Sequence, residues 1–190
     1  MRHNDYNREF NFVHEPEEFN KYSKREFLRY CLGATMYMPG TKKFIDKILN
    51  KDIAGLTTIV FCFEDACPEG DVAEAEINVI NTLETLSNAI DNGKINYDDL
   101  PLIFCRVRNI EQFEHFAGML THKQAKVLTG INFPKFNSSN GEAYFSQLKK
   151  LNEDLDEILY GMPIIEDPEV AQIETRMSEL LGIRKILNKY

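Results

Sequence analysis

No stretch of this 190-residue chain approaches the eighteen or more consecutive apolar residues of a membrane span. The opening MRHNDYNREFNF lacks the hydrophobic segment of a secretory signal. Both absences argue against a membrane partner, and a cytoplasmic protein is expected. Positive charge is also in deficit: 22 Lys and Arg against 30 Asp and Glu give a formal net charge of -8. That balance excludes a general nucleic-acid or anionic-membrane footprint, while leaving room for a local Arg and Lys cluster that holds a phosphate or carboxylate. Cysteine is scarce. Cys31, Cys62, Cys67 and Cys105 make neither a CxxC pair nor a zinc-like Cys/His spacing, so buried free thiols are expected rather than ligands or disulfides.

What is present suffices for one substantial core, since 43% of the residues are hydrophobic and 27% charged. The pattern centres on LTTIVFCFED (56–65), a run of β-branched and aromatic residues that shows no polar alternation until it ends in Glu64 and Asp65. Such a run reads as a strand buried on both faces, as in a parallel sheet covered by helices. The two acids then fall at the carboxyl end of the strand, the edge where α/β proteins build ligand sites.

Residues 1–22 are polar and dotted with aromatics, and read as an N-terminal arm; 23–190 read as the domain. Ser23 and Glu26 have capping-box spacing for a short helix reaching about residue 30, followed by a strand over 34–38 that stops at Pro39-Gly40. Helical spacing resumes at Thr41 with Phe44, Ile45, Ile48, Leu49 and Ile53. After the central strand, Asp71 and Glu74 open a long helix with Ile77, Ile80, Leu83, Leu86 and Ile90 on one face, closing near Asn92-Gly93. Further strands are predicted over 102–107, 127–133 and 158–165. Asn109 caps the helix after the first of these, with Ile110, Phe113, Phe116 and Leu120 inward. Ser138 or Ser139 starts the next, which carries Tyr144, Leu148, Leu151 and Leu155. Asp167 followed by Pro168 starts a last helix, with Val170, Ile173, Met177 and Leu180 inward. The result is five strand-helix units.

Each strand ends in chemically usable residues: Pro39-Gly40, Glu64-Asp65, Arg106 and Arg108, Lys135, and Glu166. Arg106 and Arg108 lie two apart, which puts them on one side of a strand as a cationic clamp for carboxylate or phosphoryl oxygens, unless they are salt-bridged surface residues. Glu64, Asp65 and Glu166 offer hard oxygen ligands for Mg²⁺, which takes one or two carboxylates and keeps several waters. A metal so held polarises a carbonyl, as aldol cleavage requires. Helix capping is the plainer role for Glu64 and Asp65, and Lys135 can either pair with these acids or hold an anionic substrate group. His3, His14, His115 and His122 fall at no strand end and are read as surface residues.

Taken in order, MYMPGT (36–41), VFCFEDACPEGDVAEAE (60–76), CRVRN (105–109), INFPKF (131–136) and MPIIEDPEV (162–170) resemble the successive motifs of the HpcH/HpaI aldolase and citrate lyase beta-subunit superfamily. They are most similar to its carbon-carbon bond lyase branch, often associated with tellurite-resistance gene clusters. The resemblance spans about residues 25–190. It implies a TIM (β/α)8 barrel and a Mg²⁺-dependent lyase that acts on a small carboxylated substrate, often as a CoA thioester, through a metal-stabilised enolate. By position it implies that Glu166 ligates the metal, that Arg106 contacts substrate oxygens, and that Glu64 and Asp65 form the acidic pair near the metal. It also implies substrate-side roles for Pro39, Gly40 and Lys135. Cys62 departs from the aspartate many such members carry there, which bears on their substrate and on CoA.

A (β/α)8 barrel usually takes about 250 residues, so about five of the eight βα units are expected here. A fragment of a longer protein is therefore expected, with the family's second metal-binding aspartate lying beyond it; the alternative is completion by another chain. The resemblance separately implies a homo-oligomer assembled through the outer helices. The competing expectation is a non-catalytic module, either a flavodoxin-like doubly wound sheet or a degenerate barrel half, that binds a partner or a phosphate ligand.

Overall fold

The computed structural model describes residues 9–15 and 17–190; residues 1–8 of the expected arm, with His3, and Pro16 lie outside the described residues. Five strands, β1 (Met36–Pro39), β2 (Thr58–Cys62), β3 (Leu102–Arg106), β4 (Gly130–Phe133) and β5 (Tyr160–Pro163), form one sheet in sequential order, parallel throughout. A flavodoxin-like sheet places its first strand between the second and third. Here β1 is an edge and pairs with β2, which overturns the doubly wound alternative.

The helices are α1 (Arg25–Leu28), α2 (Ile45–Leu49), α3 (Val72–Asp91), α4 (Ile110–Met119), α5 (His122–Ala125), α6 (Gly141–Leu155), α7 (Pro168–Ala171) and α8 (Ile173–Leu187). Alternate strand residues sort into two apolar clusters. Ile59, Phe61, Ile103, Cys105, Ile131 and Phe133 face the helical layer and pack with Leu83, Phe113 and Leu148. Val60, Leu102 and Phe104 face the other way and are covered by Phe19, Leu28 and Cys31 from the N-terminal segment. All five residues of β2 are buried, as expected for a strand covered on both faces. Each fully buried Phe or Leu contributes about 1.5–3 kcal/mol, so the aromatic outer face around Phe133 carries much of the stability.

The described residues from Phe19 onward are pinned to the domain. The Lys21 ammonium is buried, donates to the Ala125 carbonyl at 2.6 Å, and pairs with Glu157 at 3.1 Å; its burial lowers its pKa. This segment covers the part of the inner face nearest the strand starts. The part nearest the strand ends carries the polar Arg106 and Asn132 among Pro39, Cys62 and Met162.

Several local expectations are corrected. The Ser23 hydroxyl accepts from the Asn20 amide, and α1 begins one residue later without a side-chain cap. α2 is only five residues long. Asp71 stands at the start of α3 but makes no side-chain cap. Ile77 is exposed, and the inward face of α3 runs instead through Ala75, Val79, Leu83 and Leu86. A helix not read from the sequence, α5, is held by a reciprocal Thr121 and Gln124 cap. α6 starts after Asn140 rather than at either serine. The last helix is two: Asp167 caps α7 at the Glu169 amide, the chain extends at Gln172, and α8 follows. This break rotates the second helix, so Ile173, Met177 and Leu180 are exposed and Ile183 and Ile186 are buried. Asn109 does cap α4, accepting from the Gln112 amide at 2.8 Å.

Candidate functional site

Strand register decides which residues can meet. Pro39, Cys62, Arg106, Asn132 and Met162 stand opposite one another across β1 to β5, and Tyr37, Val60, Phe104, Gly130 and Tyr160 form the row before them. Val60 and Phe104 face the inner cluster, so both rows point to the inner face. The first row lies at the carboxyl ends, where the chain turns outward into the loops carrying Glu64, Asp65, Lys135 and Glu166.

Arg106 is the hub. Its Nη2 lies 3.1 Å from Asp65 Oδ2 and 2.9 Å from Glu166 Oε1, and forms an ion pair with Glu64 Oε2. The Arg106 and Glu64 side chains are 10% and 5% exposed, whereas Asp65 and Glu166 are 64% and 38% exposed. A buried carboxylate needs a paired charge, and Glu64 has two: Lys135 Nζ reaches its other oxygen at 2.6 Å. That contact holds the Lys135 ammonium above its usual pKa. The Lys135 backbone is left-handed, with φ of 47°, and its N–H donates to Glu166 at 3.3 Å. A lysine in that conformation costs of order 1 kcal/mol and recurs at ligand sites. Three carboxylates thus face two cations, an excess of one negative charge.

Arg108 does something else. Its guanidinium donates to the carbonyls of Phe63 at 3.1 Å, Glu64 at 3.3 Å and Cys67 at 2.6 Å, clamping the β2–α3 loop. Arg106 therefore holds the Glu64 carboxylate while Arg108 holds its backbone, and the two do not form one clamp. Gly40 is also engaged structurally: its N–H donates to the Cys62 carbonyl at 2.9 Å and its own carbonyl accepts from Asn78 at 2.7 Å. A Cβ there would press on Ala75 and Phe63 at 2.9 Å. Pro39 shares the row of Arg106 but belongs to no ion pair.

The five residues brought together are Glu64, Asp65, Arg106, Lys135 and Glu166. His14, His115 and His122 are exposed, with His115 bonded to Glu76 on α3. All four cysteines are buried and free. Sequence reasoning missed Asn132, the register partner of Arg106, and Tyr37, to which Asn132 donates at 2.8 Å. A polar Asn inside the buried run GINF was the available signal.

Among the described residues, no group of three or more His, Cys, Asp and Glu side chains is arranged around a metal-sized space. The acids gather on Arg106 instead. Asp65 and Glu166 nonetheless supply hard, accessible oxygens in a cluster of net negative charge, and Mg²⁺ takes one or two carboxylates. The donor chemistry therefore fits that ion. Among the described residues, no helix is long and apolar enough to cross a membrane.

The family model described as C-C_Bond_Lyase of the TIM-Barrel fold matches residues 26–190. No curated protein matches the chain.

Proposed function

The chain belongs to the carbon-carbon bond lyase family of TIM-barrel fold, its sheet being a run of five parallel barrel strands, and from that premise we propose the following reaction and site. The protein cleaves or forms a carbon-carbon bond next to a carboxylate, in the manner of the HpcH/HpaI and citrate-lyase-like enzymes it resembles. Arg106 contacts substrate oxygens, Glu166 and Asp65 hold Mg²⁺, and Lys135 balances the buried Glu64. Bound Mg²⁺ supplies Lewis-acid polarisation of a substrate carbonyl.

One observation carries this reading: a single nitrogen of Arg106 is shared by three carboxylates from just beyond the ends of two other strands, Glu64 and Asp65 after β2 and Glu166 after β5, the last two 41 and 60 residues away in sequence, at the carboxyl edge of the sheet. Barrel enzymes draw their catalytic groups from the ends of several strands at that edge. The buried Glu64 and the clamp of Arg108 fix the hub so that its guanidinium does not have to reorganise when a substrate oxyanion develops charge. Asp65 and Glu166 remain reachable from solvent. With a thioester or a free acid, the chemistry asked of these residues is the same.

Calorimetric titration of the chain with Mg²⁺, beside Glu166→Ala, tests the reading. Binding that is lost with Glu166→Ala supports it. Binding that is unchanged in the variant sinks the assignment of the metal to this cluster.

A further inference from the structure

Glu76 is a buried carboxylate that the proposed reaction does not use. It stands on α3 with its side chain 3% exposed, and among the described residues no Lys or Arg pairs with it. A carboxylate in such a place is costly unless its oxygens are well bonded. Both are met from α4: Gln112 Nε2 donates to Oε1 at 2.8 Å, and His115 Nδ1 donates to Oε2 at 2.9 Å.

The first of these contacts decides which way the Gln112 amide points. A carboxylate only accepts hydrogen bonds, so Gln112 turns its NH2 toward Glu76 and its oxygen the other way. That oxygen accepts from the Arg108 N–H at 2.9 Å, one residue before the Asn109 cap of α4. Turned over, the amide would set its NH2 against the Arg108 N–H, donor against donor. The line continues through Arg108, whose guanidinium donates to the carbonyls of Phe63, Glu64 and Cys67. A chain of hydrogen bonds thus ties α3, through α4, back to the loop from which α3 grows. Asp65 in that loop is 64% exposed and bonds to Arg106, so its place depends chiefly on the backbone behind it.

We propose that Glu76 and Gln112 are positioning residues for the acid pair: the buried carboxylate orients the Gln112 amide, the amide holds Arg108, and Arg108 holds the β2–α3 loop so that Asp65 stands ready for the metal. The last step rests on the assignment of Mg²⁺ to Asp65 and Glu166, whereas the hold on the loop does not.

The test compares the whole chain with Gln112→Glu, Gln112→Met and the double exchange Glu76→Gln with Gln112→Glu. The two readouts are Mg²⁺ calorimetry and the rate of Cys67 alkylation by iodoacetamide relative to Cys105. Gln112→Glu sets two buried carboxylates where a hydrogen bond stood. It is expected to weaken Mg²⁺ binding about tenfold, as when a group that holds a metal ligand in place is lost. The Cys67 to Cys105 ratio is expected to rise about tenfold as the loop opens locally. Gln112→Met keeps the volume and adds no charge, so it guards against a folding defect, and is expected to raise the same ratio. The double exchange restores the donor-to-acceptor order with the carboxylate now facing the Arg108 N–H, and is expected to recover both readouts. A merely structural role would move both thiols together. That result, an unchanged ratio, or a double exchange that recovers nothing overturns the positioning role, and a loosened loop with Mg²⁺ affinity unchanged overturns its link to the acid pair. If the unaltered chain does not bind Mg²⁺, the metal assignment fails, and the Cys67 ratio still decides the hold on the loop.

Discussion

Asn132 on β4 and Tyr37 on β1 are hydrogen-bonded at 2.8 Å, although β2 and β3 lie between their strands. Adjacent strands are about 4.8 Å apart, so in a flat sheet their backbones would be separated by roughly 14 Å with side chains standing parallel. The bond forms because the sheet curls and its inner side chains converge. Glu64 and Glu166 pair with Arg106, and Lys135 with Glu64, at the carboxyl edge of the same sheet.

Replacing Arg106 with Met leaves Glu64 buried with only Lys135 as a counter-charge. Breaking a buried pair in this way is expected to destabilise by about 3–5 kcal/mol. Urea denaturation at neutral pH reads it. A loss under about 1 kcal/mol would mean that the pair behaves like an exposed one.

Two glycines are expected to respond in opposite directions to alanine. At Gly130 a Cβ would overlap the Tyr160 carbonyl and sit 2.8 Å from the Phe104 ring, so Gly130→Ala is expected to cost about 1–3 kcal/mol or more. At Gly118, near the end of α4, a Cβ meets nothing within 4 Å. Gly118→Ala is therefore expected to be neutral or to stabilise by up to about 1 kcal/mol. Thermal melts of both variants decide whether the close approach of β4 and β5 is needed.

Burial raises the Tyr144 pKa from 10.0 to about 12, and its ring stacks on Phe133 at 4.8 Å. A raised folded pKa favours the protonated fold. That stability is complete below pH 10 and is lost as pH climbs toward 12, by up to about 1.4 kcal/mol per pH unit. Tyr144→Phe is expected to flatten this part of the alkaline stability profile while changing little at pH 7. An unchanged alkaline slope would show that the phenol is not the group titrating.

Arg108→Met removes three donors from the β2–α3 loop. The Cys67 thiol is 2% exposed, and burial pushes its pKa up, so it resists alkylation in the clamped loop. The variant is expected to expose it, raising its modification rate roughly tenfold. Cys105, fully buried in β3, serves as the internal control for global unfolding. If both thiols react faster together, the effect is general loss of stability rather than release of the loop.

By itself the amino-acid order determined the alternation of five strands and their helices, because buried parallel strands need continuous β-branched and aromatic runs and helices need a repeating apolar stripe. It also determined that Glu64, Asp65, Arg106, Lys135 and Glu166 stand at strand ends. With purely local signals the structure agrees in part: Asn109 caps its helix, whereas Ser23 and Asp71 make no helix cap. Where tertiary packing competed, it did not: the extended turn at Gln172 rotated α8, so residues placed inward by period 3.6 came out exposed. Only the tertiary structure decided that Arg106 joins the acids while Arg108 turns to backbone carbonyls, since spacing two apart says nothing of what each guanidinium finds within reach. It alone placed Tyr37 against Asn132, because the curl that joins β1 to β4 depends on the whole sheet and is written in no single segment.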